Sequence, residues 1–296
     1  MTSREGGPAH TELQEKSFEA SQVTINYAEG PPSGSPLVFL HGIGRNWKDF
    51  LPLIPSFASR WQVFALDFRG HGSSGREANY RSRDYAGDVI EFLDHVVCRP
   101  AAMFGHSLGG AVTMHVAANR PELVRAAILG DTVFSGKTLA ESMYQPLFAG
   151  LYEVIVQNGS IREMAGRLGK VRIPVPGIDH LVAIGDLPGN NAPSLLKWAE
   201  CLQQVALEAM RMSRDGLTLS DFDGLELIAR MQCPTLILQA NPQLGGLVPD
   251  AEIDLAKTLP HVRVVRFPLL GHALHLQQAK PVADAVLEFL NTVTQS

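Results

Sequence analysis

Cysteine is scarce: the 296 residues contain three, Cys98, Cys201 and Cys233, far apart and without metal-ligand spacing. A disulfide framework and a structural zinc site are both excluded by that count and spacing, and three reduced thiols in a cytoplasmic protein are expected. Basic runs are missing and the formal net charge is −5, so there is no footprint for nucleic acid. No apolar stretch approaches the ~20 residues that span a bilayer. Met1 to Lys16 is polar and lacks the apolar core of a signal peptide, so residues 1–20 read as a loose leader. No Gly-x-Gly-x-x-Gly follows a strand, no His/Cys cluster occurs and no internal repeat is visible, so no metal or nucleotide cofactor is expected. The remaining partner class is a small molecule.

What the chain does contain is a series of short, continuous apolar runs, as expected of strands buried on both faces. Gln22 to Tyr27 alternates like an edge strand, and Pro36 to Leu40, Gln62 to Leu66, Ala101 to Phe104 and Ala126 to Gly130 follow. Between Leu40 and Gln62, Asn46 to Ser59 has room for only a short helix, broken at Pro52 and Pro55. Helical spacing appears over Arg83 to Val97 and Leu108 to Asn119. Strands alternating with helices at these lengths predict an α/β fold with a doubly wound, mostly parallel sheet. From Thr132 to Arg230 the pattern fails, with no convincing strand. Within it, Leu195 to Met212 reads as one helix, Ile173 to Asn191 as loop, and Ser220 with Asp223 as a capping box opening a helix to about Met231. Strands resume at Pro234 to Leu238 and Val262 to Phe267, with helices from Asp250 and over Pro281 to Asn291. The expected organisation is a core of residues 21–131 and 224–296 interrupted by a helical cap over 132–223.

In such sheets, reactive groups gather beyond the carboxyl ends of the strands. Those ends carry His41-Gly42-Ile43-Gly44, Gly105-His106-Ser107-Leu108-Gly109, Asp131 and Gly271-His272. A serine hydroxyl is a weak nucleophile and needs a base within hydrogen-bond reach. Histidine suits that role near neutral pH, and a carboxylate fixes its tautomer and stabilises the imidazolium. Ser107 is the candidate nucleophile and His272 the candidate base. The order serine, acid, histidine fits the strand–turn–helix setting of Gly-x-Ser-x-Gly.

These motifs, in this order, resemble the α/β-hydrolase superfamily from about Val23 to Asn291. His41 to Gly44 is similar to that family's oxyanion loop, Asp67 to Ser74 to its turn after the next strand, and Gly105 to Gly109 to its nucleophile elbow. The resemblance implies that the backbone N–H groups of Ile43 and Leu108 form an oxyanion hole. The family most often carries its acid just after the strand equivalent to Thr235–Leu238, where this chain has Asn241. Asparagine can orient an imidazole but cannot stabilise the imidazolium by charge. Some branches, certain haloalkane dehalogenases among them, keep the acid where Asp131 stands. Asp131 is therefore the first candidate, Asn241 the second and Asp250 the third.

His41, His71 and His106 read as packing or loop-fixing residues, and His275 as a neighbour of His272. The reading is a serine hydrolase acting on a small ester-like or acyl substrate through an acyl-enzyme on Ser107. A carbon–carbon bond hydrolase on the same scaffold is the alternative, and it would need a cationic clamp drawn from Arg45, Arg162, Arg167, Lys170, Arg172 or Lys197. A binding module that has abandoned catalysis is the third reading, motivated by Asn241.

Overall fold

The computed structural model describes residues 13–136, 144–175 and 177–293. Strands β1 (Gln14–Glu19), β2 (Thr24–Glu29), β3 (Ser35–Leu40), β4 (Trp61–Leu66), β5 (Ala101–His106), β6 (Val124–Gly130), β9 (Thr235–Ala240) and β10 (Val262–Phe267) form one sheet, with the order β1-β2-β4-β3-β5-β6-β9-β10. Only the β1–β2 and β2–β4 pairs are antiparallel; every other pair is parallel. β3, β5, β6 and β9 are buried almost along their whole length, which is why they read as unbroken apolar runs rather than as alternation.

One apolar cluster lies on the face covered by α1 (Ser82–Phe92) and α2 (Leu108–Asn119); a second lies on the opposite face, where the closing helix Ala279–Val293 packs. The sheet is thus covered on both sides, as a parallel sheet must be.

Several expectations need correction. Gln14–Glu19, assigned to the leader, is the true edge strand and pairs with the strand that alternation had marked as the edge. Residues 1–12 of that leader lie outside the described residues. Within 132–230 there is a two-residue antiparallel ladder, β7 (Arg172–Ile173) with β8 (Val182–Ala183), inside the stretch expected to be loop. The helix expected over Leu195 to Met212 is two helices, Ala192–Gln203 and Leu207–Arg214. They break because the Ala206 N–H donates to the Gly70 carbonyl at 2.7 Å instead of to a helical acceptor. The cap of the helix Gly224–Arg230 is Asp223, whose carboxylate accepts from the Glu226 N–H, and not Ser220.

Candidate active site

β5 ends at His106, and Ser107 makes the turn into α2 with φ 55° and ψ −118°. That conformation is costly for a residue with a side chain, and it persists only where the surroundings dictate it. Here the Ser107 N–H donates to the Gly130 carbonyl at 2.9 Å, which ties the turn to β6. Glycine is required two residues on, because a Cβ on Gly109 would overlap the Leu40 and His41 carbonyls at the end of β3. A Cβ on Gly42 would stand 3.2 Å from the Ser107 Cβ and 3.6 Å from its Oγ, so the His41–Gly44 loop runs directly beside the hydroxyl.

Among the described residues, neither the Ile43 nor the Leu108 N–H has an acceptor. Leu108 opens α2, so its N–H lacks an intrahelical carbonyl by construction and adds the positive end of the helix dipole.

Asp131 follows β6 directly, also at positive φ (44°), and is fully buried. Its Oδ1 accepts from the Ala240 N–H at 3.1 Å; its Oδ2 accepts from the Leu247 N–H at 2.8 Å and from His272 Nδ1 at 2.8 Å. A carboxylate can only accept, so the imidazole carries its proton on Nδ1 and Nε2 is the basic nitrogen. The His272 backbone is held as well, since His106 Nε2–H donates to the His272 carbonyl at 3.0 Å.

The other two acid candidates are engaged elsewhere. Asn241 caps a short 3₁₀ turn by accepting from the Gln243 N–H, and its Nδ2 donates to the Pro268 carbonyl at 2.7 Å. Asp250 accepts from Gln239 Nε2 at 3.0 Å and faces Arg266.

His41 and His71 are braces. His41 Nδ1–H donates to the Gly42 carbonyl and its Nε2 accepts from the Phe68 N–H; His71 Nδ1–H donates to the Arg69 carbonyl and its Nε2 accepts from the Gly44 N–H. Burial lowers His41 to about 4 and His71 to about 3, so both are neutral. Asp67 accepts from the N–H groups of Trp47 and Ser73 and from the Asn26 amide, holding the same loop from beneath.

His275 is buried with its ring stacked on Phe50 at 5.2 Å, and both its nitrogens are buried without a partner among the described residues. Burial lowers it to about 3. Desolvated polar atoms of this kind are unfavourable, so leucine, of similar volume, raises stability at pH 7 by about 1–2 kcal/mol. Urea unfolding of His275→Leu checks this; a lower midpoint would mean that the imidazole is satisfied.

Ser107, His272, Gly42, Ile43 and Leu108 share a cavity of about 140 Å³. Its other wall comes from the chain between β6 and β9, with Phe148, Leu151, Ile184, Trp198 and Leu219, and it is largely apolar. Gln277 went unmarked in sequence reasoning. Its Oε1 accepts from the Gly271 N–H at 2.9 Å and its Nε2 donates to the Pro188 carbonyl at 2.9 Å, linking the loop that carries His272 to that wall. No spacing pattern signals it, because its second partner is far away in sequence.

A doubly wound sheet with a serine turn, an Asp–His pair brought together from beyond β6 and β10, and unengaged N–H groups defines a class. Residues 37–285 match the model of the Alpha/beta hydrolase family, so the chain belongs to that family. It is similar to (E)-2-((N-methylformamido)methylene)succinate hydrolase of Acinetobacter baylyi, with 36% identity over 270 residues that cover 91% of this chain and 95% of the relative. It is also similar, at 26% identity over 262 residues and 88% of this chain, to the dihydrolipoyllysine-residue acetyltransferase component of the acetoin cleaving system of Pseudomonas putida, but spans only 65% of that protein's length. Among solved structures, E-2-(acetamidomethylene)succinate hydrolase superposes with a TM-score of 0.73 at 23% identity, covering 95% of this chain and all (100%) of the other, a likeness of fold. No helix among the described residues is long and apolar enough to cross a membrane.

Proposed function

We propose that this protein is a serine hydrolase that cleaves a small ester-like or acyl substrate through an acyl-enzyme on Ser107. The observation that carries this reading is the 2.8 Å Asp131–His272 hydrogen bond, buried on the aspartate side and opening on the cavity that Ser107 lines. In this mechanism His272 Nε2 takes the Ser107 proton as Oγ attacks the carbonyl carbon. The charge that develops on the carbonyl oxygen is held by the Ile43 and Leu108 N–H groups, each such donor being worth about 10²–10³ in rate. Collapse of the tetrahedral species breaks the acyl bond, and His272 returns its proton to the departing group. Water then repeats the attack on the ester of Ser107 with His272 as base, regenerating the hydroxyl. Asp131 keeps the imidazole in the Nδ1–H tautomer and stabilises the imidazolium at each stage.

In this reading residues 132–223 act as a cap whose apolar wall excludes bulk water and strengthens the electrostatic terms. Incubation with a fluorophosphonate tests the reading directly: one adduct per chain, on Ser107 and absent from Ser107→Ala, is expected. An intact protein that forms none overturns it.

A further inference from the structure

The cavity's polar lining is uneven. Of the six cations that the sequence offers as an anion clamp, Arg45 is the one that lines the cavity, and no aspartate or glutamate lines it among the described residues. A permanent cation facing a largely apolar space is unfavourable unless something satisfies it.

Arg45 is also held in place. Its Nε is paired with Asp49 Oδ2 at 2.8 Å, four residues on, and its guanidinium lies 4.8 Å from the centre of the Trp198 ring. Both charged side chains are nearly buried, at 14% and 11% exposure. Asp49 is itself outside the cavity lining, so it braces the Nε side from behind. The Nη1 and Nη2 groups have no acceptor among the described residues. A second donor stands near them: Trp198 Nε1 is buried without a partner among the described residues, and a Cβ on Gly44 would lie 3.8 Å from it. Two donor-bearing side chains, one charged, thus adjoin Gly44, next to the Ile43 N–H.

We propose that Arg45 and the Trp198 indole N–H bind a carboxylate on the substrate, so that the natural substrate is a short acyl compound bearing a second, anionic carboxyl group. The proposal rests on the serine-hydrolase reading for what happens at the other end of the substrate. Its chemistry is that of an Arg–carboxylate pair reinforced by a neutral donor, whose strength comes from charge-assisted hydrogen bonding in a water-poor site. The spacing is short, because a single residue, Gly44, separates Ile43 from Arg45 and a two-residue step spans at most about 7 Å. A carboxylate only a few carbons from the scissile carbonyl fits that interval.

The test compares monomethyl succinate, glutarate and adipate with methyl 4-methylpentanoate, an uncharged ester of similar shape, in a pH-stat. The wild-type protein prefers at least one of the acid esters, and Arg45→Gln lowers the ratio of kcat/KM for that ester to kcat/KM for the uncharged one by about 10–100-fold, chiefly through KM, the size expected for a lost charge-assisted bond. Trp198→Phe keeps a ring under the guanidinium but removes the N–H, and lowers the same ratio by about 3–10-fold. Arg45→Lys retains part of the preference. If Arg45→Gln slows both esters equally, or the wild type shows no preference for any acid ester, the clamp is overturned and Arg45 only braces its loop. Titration of Ser107→Ala with free glutarate, by calorimetry, separates this from failure of the hydrolase reading. Binding that disappears in Ser107→Ala/Arg45→Gln supports the clamp even if no fluorophosphonate adduct forms; its absence, with Ser107 labelling intact in the parent protein, sinks the clamp alone.

Discussion

Asparagine in place of Asp131 lowers kcat/KM for any accepted ester by about 10⁴-fold, whereas Asn241→Ala changes it by less than about threefold. The contrast follows from what each side chain touches. Asp131 accepts three N–H groups, from Ala240, Leu247 and His272, and supplies the negative charge beside Nδ1. An asparagine there must turn its NH₂ toward at least one of those donors, and it cannot balance an imidazolium. Asn241 holds a turn and the Pro268 carbonyl on the exposed side of the same strand end. Steady-state kinetics on both variants, beside thermal melts that separate chemistry from folding, decide the matter. A larger loss in the Asn241 variant would move the acid role away from Asp131.

Stability is flat above about pH 7 and falls steeply between pH 6.5 and 5. The cause is a set of buried neutral histidines. Burial lowers His41 to about 4 and His71 and His275 to about 3, and pushes His106 well down too, with the neighbouring His275 and His272 adding to the effect. Their folded-state values lie below the unfolded value of about 6.5, so the unfolded chain takes up protons first. The stability they contribute is therefore complete above 6.5 and lost as pH falls toward 3–4. At pH 5 each of His41, His71 and His275 costs about 2 kcal/mol, and the three together about 6 kcal/mol, a large part of a typical folding free energy, with His106 acting in the same direction. Geometry gives the same sign: protonating Nε2 of His41 or His71 would set an N–H against the N–H of Phe68 or Gly44. Burial raises Asp49, Asp67 and Asp88, which titrate in the opposite sense and soften the loss at the acid end. Urea midpoints from pH 8 to pH 5 check this, and His275→Leu should shift the fall to lower pH. A stability curve level down to pH 5 would refute it.

Strands β3, β4, β5, β6 and β9 were legible in sequence because burial on both faces leaves a continuous apolar run. β1 was missed because most of its side chains are exposed, leaving no apolar pattern to read. The helix over Leu195 to Met212 was misread because its apolar spacing carries across the break, which is made by a contact with Gly70 that no local pattern contains. Asp131 was legible as a strand-end residue and, through the family resemblance, as the first candidate acid ahead of Asn241 and Asp250, but its contact with His272 was not. That pairing depends on β6 lying next to β9 in the sheet and on the register that brings Ala240 and Leu247 to its carboxylate.

By itself, then, the order of residues determined the local devices: the glycines that let a strained serine turn form, the histidine after the last strand, and the alternation that makes a parallel sheet. Each depends on neighbours a few positions away. Only the tertiary structure decided which carboxylate meets His272, which of six candidate cations enters the cavity, and which histidines are shut away from water, because hydrogen-bond partnership and desolvation are set by side chains that adjoin in space and lie scores of residues apart along the chain.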